Sequence, residues 1–153
     1  MKKFRRLYLS HPFKMRHQVR PNEIFFETAF GIELYNPFYD ENREEVKLID
    51  SGKSMDKVLS KRDFEEIVVR DLRAIDDCDG VVMVIEDNMS SFGTPCEGWY
   101  VLEYTLKTGK YKPVFVITKT MNFHPWIQYI ALHTGGKVFK GWTEFEKYIE
   151  LRG

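Results

Sequence analysis

The sequence predicts one α/β domain: a doubly wound, five-stranded parallel sheet with helices on both faces. Strand and helix signals alternate along the chain, the order that right-handed crossovers between parallel strands require. Val81-Val82-Met83-Val84-Ile85 and Val114-Phe115-Val116-Ile117 are apolar at every position, as strands covered above and below must be. The 153 residues suit a single domain, and no repeat, low-complexity tract or linker divides them.

Each element has its own signal. Arg5 to Ser10 reads as a short strand, closed by the turn-like His11-Pro12-Phe13. After a polar stretch with Lys14, Arg16 and Arg20, a helix is expected from Asn22, as its cap, to Phe30, with Gly31 ending it. Ile32 to Tyr35 is a second strand, stopped by Asn36-Pro37. The charged segment from Asp40 to Lys61 has no clear period and is expected to be a loop carrying some helix. Arg62 to Asp76 is strongly helical, with Phe64, Ile67, Val68, Leu72 and Ile75 on one face. The third strand runs from Val81 to Ile85, and a helix spans Thr94 to Thr108 up to Gly109. Lys112 to Ile117 is the fourth strand, followed by a helix (His124 to His133), a short strand (Lys137 to Phe139) and a last helix (Thr143 to Leu151). Five such strands suit the flavodoxin-like order 2-1-3-4-5 in three layers, which binds ligands where the first and third strands diverge. The loops Ser10 to Arg16, Asn36 to Asp40 and Glu86 to Thr94 lie there.

Composition removes several classes of function. Lysine plus arginine number 23 and aspartate plus glutamate 23, a balance that argues against binding a nucleic-acid polymer. With 43% hydrophobic and 30% charged residues, the chain is not of disordered composition. Aromatics make up 15% of it, enough for a core with some left for a pocket or a subunit interface. No apolar run approaches the roughly 18 residues of a membrane span, and the basic N-terminus does not read as a signal peptide. Cys78 and Cys96 lack metal-ligand company and cannot make a disulfide framework. The expectation is a soluble, cytoplasmic protein. Glycine-rich dinucleotide and triphosphate motifs are absent. His11, His17, His124 and His133 show no metal spacing and read as surface or loop residues, and Asp76-Asp77-Cys78-Asp79 reads as a solvated turn. Neither metal nor cofactor is expected.

Some side chains stand out. Asp71 interrupts the apolar stripe between Ile67, Val68 and Ile75; it is either paired at the stripe's edge with an arginine such as Arg70 or Arg73, or held for function. Thr94-Pro95-Cys96-Glu97 has the form of a capping box, with Thr94 at the N-cap and Glu97 reaching back. Glu97 also opens the helix at the ligand end of the sheet, where N-terminal amides would keep a nucleophilic carboxylate ionised. Lys14 and Arg16 either meet an anion such as phosphate or are simply solvated. Tyr8, late in the first strand, points either into the cleft or into the core.

Taken in order, several motifs resemble the nucleoside 2-deoxyribosyltransferase superfamily, including its 2'-deoxynucleoside 5'-phosphate N-hydrolase branch. They are Leu7-Tyr8-Leu9-Ser10 with Pro12-Phe13, Asn36-Pro37, Arg70-Asp71-Leu72 before Asp79-Gly80-Val81-Val82, and Ser91-Phe92-Gly93-Thr94-Pro95-Cys96-Glu97-Gly98 ahead of Gly109-Lys110 and Lys112-Pro113-Val114. The resemblance implies a double displacement at the anomeric carbon, with Glu97 attacking C1', Asp71 assisting it and the proton traffic, and Tyr8 orienting it. It places Ser10, His11, Phe13, Lys14, Arg16, Ser91, Gly93 and Thr94 around the substrate. Classical transferases carry an aspartate six residues before the nucleophile; Ser91 resembles the monophosphate hydrolases instead, and Lys14 and Arg16 favour the same choice. The glycine-rich first loop of those hydrolases is replaced by Ser10-His11-Pro12-Phe13. Family members commonly assemble as dimers or larger, each pocket completed by a neighbour. The expected function is thus an N-glycosidase releasing the base from a (deoxy)nucleoside 5'-monophosphate. The alternatives are a deoxyribosyltransferase exchanging bases between nucleosides and, from another class, a non-catalytic nucleotide-binding or sensing module.

Overall fold

The computed structural model describes residues 4–43, 61–89 and 91–152, with the backbone alone at 61 and 62, so most of the charged segment expected to be a loop with some helix lies outside the described residues. Strands β1 (Arg6–Ser10), β2 (Glu33–Tyr35), β3 (Gly80–Val84), β4 (Val114–Ile117) and β5 (Lys137–Phe139) form one sheet in the order β2-β1-β3-β4-β5. Every pairing is parallel. The described helices are α1 (Arg16–Phe30), α2 (Lys61–Asp76), α3 (Gly93–Thr108), α4 (Pro125–Thr134) and α5 (Trp142–Arg152), with short 3₁₀ turns at Phe13–Met15 and Pro37–Tyr39. This is the doubly wound α/β fold and strand order that the sequence predicts.

Strand alternation divides the core in two. Leu7, Leu9, Val82, Val84, Phe115 and Ile117 pack with Val19 and Phe26 of α1 and Phe145 and Ile149 of α5. On the other face Tyr8, Val81, Met83, Val114 and Val116 pack with Ile75 of α2, Val101 and Leu102 of α3, and Ile127 and Ile130 of α4. Tyr8 therefore faces α2 and α3. Among the described residues, no helix is long and apolar enough to cross a membrane.

Three local expectations are corrected. Helix α1 begins at Arg16 rather than at an Asn22 cap: Pro21 sits exposed within it, and Asn22 Nδ2 bonds back to the Gln18 carbonyl at 3.3 Å. A proline removes one helical hydrogen bond, and here the packing of Val19, Glu23 and Phe26 carries the helix past it. The stripe of α2 is buried only toward its C-terminal end: Ile75 is inaccessible, while Phe64 and Val68 are 46% and 55% exposed. The third correction concerns Glu97.

Candidate active site

Tyr8 and Ser10 occupy the carboxyl end of β1, and α3 leads back over the same face of the sheet. Gly98 permits the approach: a Cβ there would stand 3.3 Å from Met83 Sδ on β3. Glu97, one residue earlier, consequently reaches β1, and Ser10 Oγ donates to its Oε1 at 3.1 Å. The Tyr8 ring is fully buried and its hydroxyl faces the same carboxylate, so Tyr8 belongs to core and cleft together. The phenol lies close enough to influence Glu97, yet neither its oxygen nor Glu97 Oε2, both buried, completes a well-formed hydrogen bond.

The capping box does not form. Helix α3 starts at Gly93, with Phe92 at the N-cap position, and Thr94 is already within it. Ser91 satisfies the helix end: its hydroxyl accepts from the Thr94 amide at 3.3 Å and donates to Thr94 Oγ1 at 2.8 Å. Glu97 is the fifth helical residue, turned toward the sheet.

A second acidic group stands beside it. Asp71 Oδ1 meets Arg43 Nη1 at 2.7 Å. Arg43 is 3% exposed, and its Nη2 donates to the Tyr35 hydroxyl at 3.2 Å. Tyr35 in turn donates to Asp40 Oδ2 at 2.7 Å and packs its ring against Tyr8. The guanidinium on Asp71 thus comes from the loop after β2, a position the sequence reading missed because it lies in an aperiodic run of charges. Its one available signal was Asp71 itself, since a carboxylate within an apolar stripe calls for a cation.

Burial decides the electrostatics. It pushes the Glu97 carboxyl up to about 8; Asp71 adds to the rise, while Tyr8, Ser10 and Arg43 oppose it. The expectation that helix amides hold Glu97 ionised is therefore overturned: the carboxylate is held by Ser10 of β1, and burial resists its charge. Burial and the negative field of Glu97 and Asp71 also raise Tyr8, keeping the phenol protonated. For Arg43, burial alone would lower the pKa, but Asp71 and Tyr35 outweigh it and hold the guanidinium charged.

The first loop is bound to the second. His11 is buried, not a surface residue; its Nδ1 lies 2.9 Å from the Pro12 carbonyl and its Nε2 3.3 Å from Asn36 Oδ1. Asn36 also accepts from the Phe38 amide at 3.1 Å and donates to the buried Glu23 at 2.9 Å. His11 is thereby committed to holding the two loops together, with Phe13 packed edge-on against Phe38. Arg16 lies 3.8 Å above the Phe13 ring and donates to the Phe13 carbonyl at 3.1 Å, while Lys14 is exposed. Gly93 is exposed with open space around it. The structure thus brings Tyr8, Ser10, Asp71 and Glu97 together, assigns His11 and Ser91 to local bonds, and leaves Lys14 at the surface.

No protein-family model matches this chain, and neither does any curated protein. Among solved structures, a 2-deoxyribosyltransferase from the psychrotolerant bacterium Bacillus psychrosaccharolyticus, a biocatalyst for nucleoside synthesis, superposes with a TM-score of 0.60. The alignment covers 94% of this chain and 91% of that one at 20% identity. The chain has the fold of a 2-deoxyribosyltransferase.

Proposed function

We propose that this protein is an N-glycosidase that cleaves the base–sugar bond of a (deoxy)nucleoside 5'-monophosphate through a covalent glycosyl-Glu97. The observation that carries the reading is the state of the Glu97 carboxylate. Ser10 holds Oε1, whereas Oε2 is buried with no formed hydrogen bond, at the carboxyl end of β1. The Glu97 carboxylate is the group that attacks C1'. The C1'–N bond breaks with its electron pair going to the base, which leaves after taking up a proton from solvent, the proton that Asp71 returns to solvent after the second step. Water then attacks C1', the ester bond to Glu97 breaks, and Asp71 receives the water's proton within its ion pair to Arg43. An oxocarbenium-like transition state gains from a carboxylate in a poorly solvated cleft. Lys14 and Arg16, beside the loop after β1, meet the 5'-phosphate, while Ser91 holds the start of α3. Tyr8 orients Glu97, and Phe13, with Gly93 and Thr94 at the start of α3, borders the sugar and base.

The shared fold supports a second reading, transfer of the sugar to another base. Incubating a panel of nucleosides and nucleotides with and without a free acceptor base separates the two: free base alone means hydrolysis, a new nucleoside means transfer. Nucleotide binding with no turnover across the panel would favour a sensing module. A 2'-fluoro substrate that slows deglycosylation should leave its sugar on the peptide containing Glu97, and an adduct on another carboxylate would overturn the assignment. We further propose a cytoplasmic homo-oligomer. Exposed Trp126, Trp99, Phe64 and Val68 on the α2–α4 layer support a subunit interface there, with the two indoles 5.5 Å apart.

A further inference from the structure

On the opposite face of the sheet, between α1 and the start of α5, lies a cavity of about 600 Å³. Tyr8, Ser10, Asp71 and Glu97 do not line it. Its floor is the ends of β3 and β4, at Val84 and Ile117. Met15, Met89 and Trp142 give it soft, polarisable walls suited to a flat ring. Lys119 and Lys140 stand at its edge, and neither ammonium has an ion pair among the described residues. Gln18 and Asn88 add side-chain amides that make no hydrogen bond among the described residues. The one carboxylate in the wall, Glu86, is occupied by the β4 loop: it accepts from the amides of Lys119 at 2.7 Å and Thr120 at 2.9 Å, and from the Thr120 hydroxyl at 2.5 Å.

An apolar floor with a few convergent polar groups, at this volume, is the usual form of a small-molecule site. The two cations against one engaged carboxylate select a negative ligand, and the sulfur and indole surfaces select a planar one. We infer that this cavity is a second ligand site, separate from the Glu97 cleft, for a planar aromatic anion bearing a phosphate or a carboxylate. Asn88 and Met89 lie in the segment that leads from β3 to Ser91 and α3, so an occupant there bears on the approach to Glu97.

Methionine methyl groups separate the two sites. Met15 and Met89 line the cavity, whereas Met83 lies beneath Gly98 on the catalytic face. The full-length protein, labelled with carbon-13 at its methionine methyls, is titrated with adenosine 5'-monophosphate, benzoate, adenosine and inorganic phosphate. The expected result is a saturable shift of Met15 and Met89 with the monophosphate or benzoate, at about tenfold or more higher affinity than with adenosine or phosphate, which each lack one half of the ligand. The paired changes Lys119→Glu and Lys140→Glu, both on exposed side chains, should weaken that binding about tenfold or more while leaving base release in the Glu97 cleft unchanged. Shifts confined to Met83, no saturable shift with either anion, or binding unaffected by the lysine reversal would overturn the proposal. The methyl shifts and their loss on lysine reversal require no turnover, so failure of the glycosidase reading, seen as absent base release, is distinguished from failure of this site.

Discussion

Replacing Glu97 by glutamine removes a charge and keeps the shape, and the structure sets the consequence for stability. The Glu97 carboxyl titrates at about 8 in the folded protein against an ordinary 4.5. Its folded-state pKa is raised, so the folded state holds a proton that the unfolded chain has released. The associated stability is fully present below about pH 4.5, declines as pH rises toward 8, and is gone above it. Over that interval the loss is on the order of 4 kcal/mol for this one group. Glutamine is neutral throughout and can still accept from Ser10. Urea unfolding at pH 5 should therefore find Glu97→Gln within about 1 kcal/mol of the parent, whereas at pH 8.5 the variant should be more stable by roughly 4–5 kcal/mol. Base release should fall by several orders of magnitude, because a neutral amide cannot form the glycosyl-enzyme. Equal stability of the two proteins at both pH values would refute the burial argument; an active variant would refute the nucleophile.

Three more outcomes are expected. The acid limb of kcat/KM should lie near pH 8 for the parent, move to lower pH in Asp71→Asn as repulsion on Glu97 is removed, and move higher in Ser10→Ala as a donor is lost; pH–rate profiles check both directions. Asp71→Asn should also lower turnover by about 10²–10⁴-fold. Arg43→Ala should cost about 2–4 kcal/mol in chemical denaturation by leaving Asp71 without its buried cation, and Arg43→Lys, which keeps the charge but not the fork, should recover only part of that. Lys14→Ala with Arg16→Ala should raise KM for 5'-monophosphates and spare nucleosides, and equal losses on both in steady-state kinetics would remove these residues from phosphate recognition.

The fold was legible because the elements that define it are locally unambiguous. Strands β3 and β4 are uniformly apolar, and Gly31, Gly109 and Gly135 end three helices in the left-handed conformation. Tyr8, Asp71 and Glu97 were legible as candidates, but that they share one site follows only from the packing. Alternation in β1 turns Tyr8 toward Glu97, and only the packing of α3 across the sheet shows that Glu97 abandons the cap. The capping box misled because Ser91, three residues before Thr94, does the same chemical work. Pro21 misled because a breaker on an exposed face lets the helix continue. Arg43 and the Glu23–Asn36–His11 link were invisible, since loop residues carry no period and their partners lie in other elements.

The contact that seats Glu97 crosses most of the chain. Ser10 and Glu97 are 87 residues apart, and β1 can pair with β3 only by closing the stretch from Leu7 to Gly80. Such non-local pairing forms slowly, because the entropy of closure precedes the reward. Refolding near pH 7 should draw about one proton per chain more from solution in the parent than in Glu97→Gln, and an indicator dye comparing the two would report the burial of this one group.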